Sequence, residues 1–342
     1  MSTVSRIVAP GRAAVVCAVG SCLPADQLTN TELARRFGVT EDDIHRTTGI
    51  HRRRIAPAGT TTSDLAVHAA RRALALTDRT PAGVVLATST PDRLVPATAP
   101  LVASRLGLGP VAALDVGAAC SGFVYALAVA AGWLLAGIGD SFLVVGADTM
   151  STLTDPHDRA TATVFGDAAA AVVLRAGHRD EPGALGAFDL GSDGTGEELL
   201  HVPAGARRRS AGHPPGEHDH HISMNGPAMF RNAVRHMTAS GRRACHAAGW
   251  APADIDHLLA HQANARILGV LAHNLGLPEA RCLSNIAEVG NTSAASIPLV
   301  LAETAADGRL RPGRRVLVTS FGAGLTWAST TMTWPDLTPS AS

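Results

Sequence analysis

A single cysteine stands where the sequence changes from a strand pattern to a helix pattern. Cys120 follows the apolar segment 111–116 and a Gly-Ala-Ala turn, and it precedes a long apolar stretch. The first turn of a helix has unpaired backbone N–H groups and a partial positive charge, so we expect this position to favour a thiolate. We therefore predict that Cys120 is a nucleophile, whereas the other four cysteines are predicted to be buried structural residues.

Two further polar residues occupy corresponding places later in the chain. His261 ends the apolar segment 258–261, and strand ends in α/β folds project side chains into ligand sites. Asn291 precedes a helix-like segment, where its simplest role is to cap that helix. The three side chains can form one site only if the fold brings the two halves of the chain together.

The intervening pattern alternates strands and helices and predicts an α/β fold. Offsets between similar features are nearly constant, because His261 follows Thr88 by 173 residues, Asn291 follows Cys120 by 171 and Leu317 follows Leu143 by 174. This repetition predicts a duplicated α/β unit. The predicted strands are 12–20, 83–88, 111–116, 141–148, a pair within 163–174, 258–261, 314–321 and 325–334, and the predicted helices are 61–76, 96–107, one starting near 120, 265–276 and 288–303.

We place the boundary between the halves at 183/184, which gives an N-terminal half of 1–183 and a C-terminal half of 184–342. Residues 204–221 are rich in Pro, Gly and charge and predict an exposed loop. The loop holds several histidines and acidic residues. Consecutive histidines in such a loop make a poorly preorganised site, so we expect no metal there.

Composition excludes several classes of function. The chain has 342 residues, zero formal net charge and no lysine, since all 29 basic residues are arginine. Lysine Schiff-base chemistry and a P-loop are therefore excluded, and zero net charge argues against nucleic-acid binding. Five scattered cysteines and the lack of a signal-peptide pattern favour the cytoplasm. The uncharged stretch 116–139 is long enough to span a membrane, but we interpret it as a buried core helix.

Six motifs, in this order and spacing, resemble the β-ketoacyl-acyl-carrier-protein (ACP) synthase III family over nearly the whole chain. They are R-T-T-G-I (46–50), the cysteine turn (114–123), V-F-G-D-A-A (164–169), H-Q-A-N-A-R-I (261–267), G-N-T-S-A-A-S (290–296) and F-G-A-G-L-T-W (321–327). The resemblance implies a thiolase-like fold, with the duplicated halves in a five-layered α-β-α-β-α arrangement.

The resemblance also implies a Cys120-His261-Asn291 catalytic site. Cys120 would accept an acyl group from an acyl-coenzyme A (CoA) or acyl-ACP primer, and His261 and Asn291 would stabilise the enolate left by decarboxylation of malonyl-ACP. The backbone N–H groups of Cys120 and Ala323 would form a second oxyanion hole. The implied reaction starts a fatty-acid or polyketide chain, with no permanently bound cofactor. A non-condensing acyltransferase of the same fold is the alternative.

Binding residues and partners follow from the same resemblance. Val95, Phe165 and Phe321 would line the acyl pocket, and Arg159, Asn264 and Arg266 would bind the thioester or its carrier. The family's adenine-stacking Trp is replaced by Asp43 and a nearby Arg by Thr47, which would weaken CoA binding and favour delivery by ACP. The implied assembly is a homodimer. The altered tunnel and the arginine-only composition favour specialised metabolism.

Overall fold

The computed structural model describes residues 11–203 and 220–337. The strands within these ranges form two main sheets and two short pairs. They are β1 (Arg12–Cys22), β2 (Gln27–Thr29), β3 (Arg52–Arg54), β4 (Gly83–Ala87), β5 (Ala112–Val116), β6 (Ser141–Thr149), β7 (Asp167–His178), β8 (Asp189–Ser192), β9 (Leu200–His201), β10 (Ser223–Met224), β11 (His257–Ala260), β12 (Arg315–Gly322) and β13 (Thr326–Thr333).

The α-helices of the described ranges connect these strands. They are α1 (Asn30–Phe37), α2 (Glu41–Thr48), α3 (Thr62–Leu74), α4 (Ala99–Arg105), α5 (Gly122–Leu135), α6 (Arg159–Ala162), α7 (Gly226–Ala247), α8 (Ala265–Asn274), α9 (Ile286–Val289) and α10 (Ser296–Ala306). Short 3₁₀ turns precede α5 and α10, at Ala119–Ser121 and Ser293–Ala295.

The two main sheets repeat one strand arrangement. The first has the order β1-β7-β6-β4-β5, with β4 parallel to β5 and β6, and with β7 antiparallel to β6 and β1. The second has the order β8-β13-β12-β11, with β11 parallel to β12 and with β13 antiparallel to β12 and β8. Four strands therefore correspond between the sheets, β4, β6, β7 and β1 in the first and β11, β12, β13 and β8 in the second, which is the duplication predicted from the offsets. The first sheet has one further parallel strand, β5.

Helices cover both faces of each sheet and create five layers. α3 and α4 pack on the outer face of the first sheet, and α7 packs on the outer face of the second. α5 and α10 lie between the sheets and are almost entirely apolar, because both of their sides are buried. The uncharged stretch 116–139 is thus the buried core helix that we predicted. Within 11–203 and 220–337, no helix is long and apolar enough to cross a membrane.

Several predicted elements differ from the structure. Residues 163–174 do not form two strands, because 163–164 form a turn, Phe165 makes only an isolated bridge to Asn291, and β7 then runs without a break from Asp167 to His178. The predicted helix 288–303 is interrupted, since α9 ends at Val289 and α10 starts only at Ser296. The sequence analysis did not predict α7, the longest helix described. The histidine-rich loop lies outside the described residues, apart from positions 220 and 221.

Candidate active site

Cys120 lies in the 3₁₀ turn between β5 and α5, where the two halves of the molecule meet. Ala119 has φ +45°, a left-handed conformation that is unusual for a residue other than glycine and that directs the next side chain inward. A Cβ atom added to Gly322 would lie 2.8 Å from the backbone nitrogen of Cys120. Glycine at the end of β12 therefore allows the second sheet to approach the nucleophile's turn.

The electrostatic setting of Cys120 differs from the sequence-based expectation. The side chain is only 6% exposed, and burial raises the pKa of its thiol to about 12. The helix N-terminus is expected to favour a thiolate, and burial acts in the opposite direction because a charged sulfur loses its hydration there. Cys120 is thus a protonated thiol that must lose its proton as it reacts.

His261 directly follows β11 and is a neutral imidazole. It is 2% exposed, and burial lowers its pKa to about 3. Its Nδ1 atom lies 2.7 Å from the Ser296 hydroxyl oxygen, which also accepts the backbone N–H of Gln262 at 3.4 Å. We assign the hydroxyl proton of Ser296 to Nδ1, so the imidazole carries its own proton on Nε2. This tautomer makes His261 a hydrogen-bond donor.

Asn291 lies in the link between α9 and α10. Its side-chain oxygen accepts the Ser293 N–H at 2.9 Å. Asn291 therefore caps the 3₁₀ turn Ser293–Ala295, and not α10, the helix that it was expected to cap. The backbone N–H of Asn291 donates to the Val164 carbonyl, and Gly166 donates to the Asn291 carbonyl. Because the side-chain oxygen is occupied by Ser293, the Nδ2 group remains available as a donor.

One cavity of about 110 Å³ has Cys120, His261 and Asn291 in its wall. Phe165 and Phe321 line the same cavity, as predicted for an acyl pocket. The rest of the wall is mostly apolar and includes Met224, Met229, Phe230 and Ile267. A thiol and two N–H donors therefore face an enclosed space suited to an acyl thioester.

Val95 and Ala323 are not among the residues that line this cavity. Val95 does not line this cavity in the single chain, because it lies on an exposed loop beside Leu94 and is itself 84% exposed. Ala323 follows Gly322, which does line the cavity, at the end of the strand that packs on the Cys120 turn. The expected N–H contribution of Ala323 remains a prediction.

A wide outer pocket continues from the cavity to the surface. Its lining includes Thr47, Arg159, Arg231, Asn264 and Arg266, and it shares Asn264 with the inner cavity. Sequence reasoning missed Arg231, which comes from the unpredicted helix α7. The outer pocket thus brings three guanidinium groups to the entrance of the site.

Asn264, at this entrance, and Asp43, on helix α2 beside it, are both engaged within the chain. Both polar atoms of the Asn264 side chain are bonded, Nδ2 to the Thr47 carbonyl at 2.9 Å and Oδ1 to the Arg266 N–H at 2.9 Å. Asn264 therefore caps α8 and ties it to α2. The Asp43 carboxylate accepts the backbone N–H of Thr40, the N-cap residue of α2, and pairs with Arg46 at 2.5 Å.

Family models match both halves of the chain. The model described as "3-Oxoacyl-[acyl-carrier-protein (ACP)] synthase III" matches residues 114–194, and its C-terminal counterpart matches residues 245–334. These matches include the segments that carry Cys120, His261 and Asn291. The chain belongs to the 3-oxoacyl-ACP synthase III family.

Similar proteins cover nearly the whole chain. Beta-ketoacyl-[acyl-carrier-protein] synthase III 3 of Streptomyces coelicolor is 51% identical over 96% of this chain and 99% of its own length. The crystal structure of 3-oxoacyl-(acyl carrier protein) synthase III from Pseudomonas aeruginosa superposes with a TM-score of 0.90, at 48% identity, covering 96% of this chain and all of that one. The priming β-ketosynthase of the R1128 polyketide pathway gives a TM-score of 0.86 at 35% identity, covering 96% and 98%. The thiolase-like fold is therefore shared over the full described chain.

Proposed function

We propose that this 3-oxoacyl-ACP synthase III starts acyl chains by transferring a primer to Cys120 and condensing it with a malonyl-type carrier thioester. The protein is an acyltransferase of the condensing type, as its family membership establishes. The observation that carries the assignment of residues is the single cavity lined by Cys120, His261 and Asn291. Lysine is absent from the chain, and none of these roles requires it.

The first half-reaction acylates the cysteine. The Cys120 sulfur attacks the carbonyl carbon of the primer thioester, and the bond from that carbon to the primer sulfur breaks. The N–H groups of Cys120 and Ala323 would hold the transient oxyanion, since the strand leading to Ala323 packs against the cysteine turn. The leaving thiolate takes a proton from water at the open entrance.

The second half-reaction forms the carbon–carbon bond. The malonyl carboxylate departs as CO₂, and the released electron pair gives an enolate whose oxygen would accept hydrogen bonds from His261 Nε2 and Asn291 Nδ2. The enolate carbon then attacks the acyl carbonyl on Cys120 and expels the cysteine sulfur. A neutral His261 suits this role, because the imidazole stabilises charge as a donor without transferring its proton.

The same donor pair favours condensation over plain acyl transfer. Two N–H donors converge on the cavity besides the nucleophile, and plain transfer forms no enolate for them to stabilise. The non-condensing alternative therefore leaves His261 and Asn291 without a role.

The outer pocket supports a carrier-borne substrate. Arg159, Arg231 and Arg266 line it, and guanidinium groups bind phosphate well. Asp43 adds a carboxylate on the neighbouring helix where the family has a stacking Trp. We propose acyl-ACP and malonyl-ACP as the main substrates, with acyl-CoA as a weaker primer donor and with no permanently bound cofactor.

The assembly and the domain limits are part of the proposal. We propose a cytoplasmic homodimer that uses the exposed loop with Leu94 and Val95, each more than 80% exposed, in its interface. This loop would bring Val95 near an acyl pocket only through a second chain. The division at 183/184 is supported by the strands, because the first sheet ends with β7 and the second begins with β8.

The decisive experiment follows both half-reactions. Radiolabelled acyl-ACP is added with and without malonyl-ACP, and the mass of the protein, the CO₂ released and the mass of the product are measured. We expect acyl label on Cys120 and, with malonyl-ACP, CO₂ and a β-ketoacyl product, whereas Cys120→Ala takes no label. Label without CO₂ would favour the pure transferase, and no label would refute the enzyme proposal.

A further inference from the structure

A buried carboxylate close to the nucleophile has no part in the mechanism above. Asp148, near the end of β6, is 0% exposed. One carboxylate oxygen accepts the Ser89 N–H at 2.6 Å and the Thr88 hydroxyl at 3.1 Å, and the other accepts the Ala294 N–H at 2.9 Å. Asp148 thus joins strand ends of the first half to the turn that precedes α10 in the second half.

Ser293 connects this carboxylate to the reactive sulfur. The Cys120 sulfur lies 3.7 Å from the Ser293 hydroxyl oxygen, within the range of a thiol hydrogen bond. The Ser293 hydroxyl also lies close to Asp148, where it favours the ionised carboxylate and acts to lower its pKa. The backbone of Ser293 has φ +51°, and its N–H is fixed by the Asn291 side chain. A strained backbone therefore holds one hydroxyl between the thiol and the carboxylate.

The charges in this cluster favour sharing one proton. The negative charge of Asp148 opposes ionisation of the Cys120 thiol, and burial raises the pKa of both groups. Two negative charges in one buried cluster repel strongly, so a thiolate forms more easily if Asp148 becomes neutral at the same time. The neighbouring His261 is uncharged above about pH 4, since its pKa is lowered to about 3, and within residues 11–203 and 220–337 Asp148 is the charged group that acts on the thiol.

We propose that Ser293 and Asp148 form a proton relay that takes the thiol proton from Cys120 during acylation and returns it during condensation. The relay rests on the proposed function. As the Cys120 sulfur bonds to the acyl carbon, its proton passes to the Ser293 oxygen while the Ser293 proton passes to Asp148. When the enolate carbon later expels the cysteine sulfur, both transfers reverse. The one proton consumed in the cycle is the proton that the primer thiolate takes from water.

The relay predicts a specific pH effect in Ser293→Ala. Alkylation of Cys120 by iodoacetamide and acylation by acyl-ACP are measured from pH 6 to 10. We expect both rates to fall by about 10²-fold at pH 7, a usual contribution of a general base, and to recover towards wild-type rates near pH 10, where hydroxide removes the proton. A decrease of equal size at every pH would indicate a structural role and would overturn the relay.

A second variant and a control separate proton transfer from packing. Asp148→Asn keeps the shape but cannot accept the proton, so its pH profile should match that of Ser293→Ala. Thr88→Val removes another hydroxyl that donates to Asp148 but does not contact Cys120, and its profile should keep the wild-type shape. CO₂ release from malonyl-ACP should change less than acylation in Ser293→Ala. Wild-type rates in both relay variants would refute the relay.

The alkylation assay requires no acyl substrate. It therefore tests the relay even if acyl-ACP fails to label the wild-type protein, and that failure would count against the proposed function alone.

Discussion

The turn before α5 and the turn before α10 have the same geometry but perform different tasks. Each is a 3₁₀ turn that leads into a buried apolar helix, and each begins with a residue other than glycine at positive φ, Ala119 at +45° and Ser293 at +51°. These residues lie 174 positions apart, as do Leu143 and Leu317 in β6 and β12. The duplicated halves thus preserve the turn, and its side chains have diverged.

This equivalence corrects the pairing inferred from the sequence. Cys120 was paired with Asn291 at an offset of 171, but the turns place Cys120 opposite Ala294 at an offset of 174. In the first half the second residue of the turn is Cys120, the proposed nucleophile. In the second half that position only donates its N–H to Asp148, and the polar side chains are Asn291, two residues before the turn, and Ser293, its first residue.

The two regions also differ in charge. The first half contributes a thiol and a buried carboxylate, both of which gain or lose protons in the proposed cycle. The second half contributes His261 and Asn291, which are neutral donors. In the proposed cycle, acylation therefore depends on proton movement between two groups of the first half through Ser293, whereas decarboxylation depends on the fixed dipoles of His261 and Asn291.

The strongest test of this assignment of acylation and decarboxylation to different groups is Asn291→Asp. The new side chain can still accept the Ser293 N–H, but it replaces a donor with a negative charge that faces the enolate. We expect CO₂ release from malonyl-ACP to fall by 10²- to 10³-fold, the usual cost of a lost oxyanion donor, while acylation of Cys120 falls far less. Single-turnover assays of Cys120 acylation and of CO₂ release measure the ratio of the two losses. Equal losses in both steps would contradict the division.

A smaller effect is expected on the free energy of unfolding, because His261 is buried as a neutral imidazole. The pKa of His261 in the folded protein, about 3, is below its usual value of 6.5, so the unfolded chain binds the proton more readily. The free energy of unfolding should therefore fall as the pH drops below 6.5. For this residue the decrease from pH 7 to pH 5 is about 2 kcal/mol.

Urea unfolding of the wild type and of His261→Gln isolates that contribution. The variant has no such group and should lose about 2 kcal/mol less over the same interval. Parallel pH profiles for the two proteins would show that His261 is not buried as a neutral group.

The sequence predicted the apolar parts of this site better than its polar network. The buried strands, the core helix and the three proposed catalytic residues follow from local patterns and ordered motifs. Ser293 and Ser296 stand in the G-N-T-S-A-A-S motif, but their partners Asp148 and His261 lie 145 and 35 residues away in the chain. Pairing at such distances depends on how the two sheets pack, so only the structure identifies it. Val95 shows the converse, since it does not line the cavity that Phe165 and Phe321 share with Cys120.

Ser296→Ala tests whether the tautomer of His261 matters for the decarboxylation of malonyl-ACP. Without the hydroxyl, nothing fixes the proton on Nε2, and we expect CO₂ release to fall by about 10-fold, near the value of one hydrogen bond. Acylation should be unchanged. Thr304→Val is the matched control, because Thr304 is a buried hydroxyl on the same helix that bonds only to the Val300 carbonyl. A loss of the same size in the control would assign the effect to helix packing.

The smallest expected effect lies at the entrance, where both halves contribute arginines. Arg266→Ala combined with Arg231→Ala removes two of the three guanidinium groups of the outer pocket. We expect the KM for malonyl-ACP to rise by about 3- to 10-fold with little change in kcat, as for exposed contacts to a phosphate. The difference should shrink in 0.5 M salt, because exposed charges are screened. Arg242→Ala removes the same charge from the same helix as Arg231, but its guanidinium bonds to the Asn274 carbonyl away from the pocket, so its KM should stay near the wild-type value. A KM that is unchanged in the double variant would place carrier binding elsewhere and leave the entrance arginines without a role in either half-reaction.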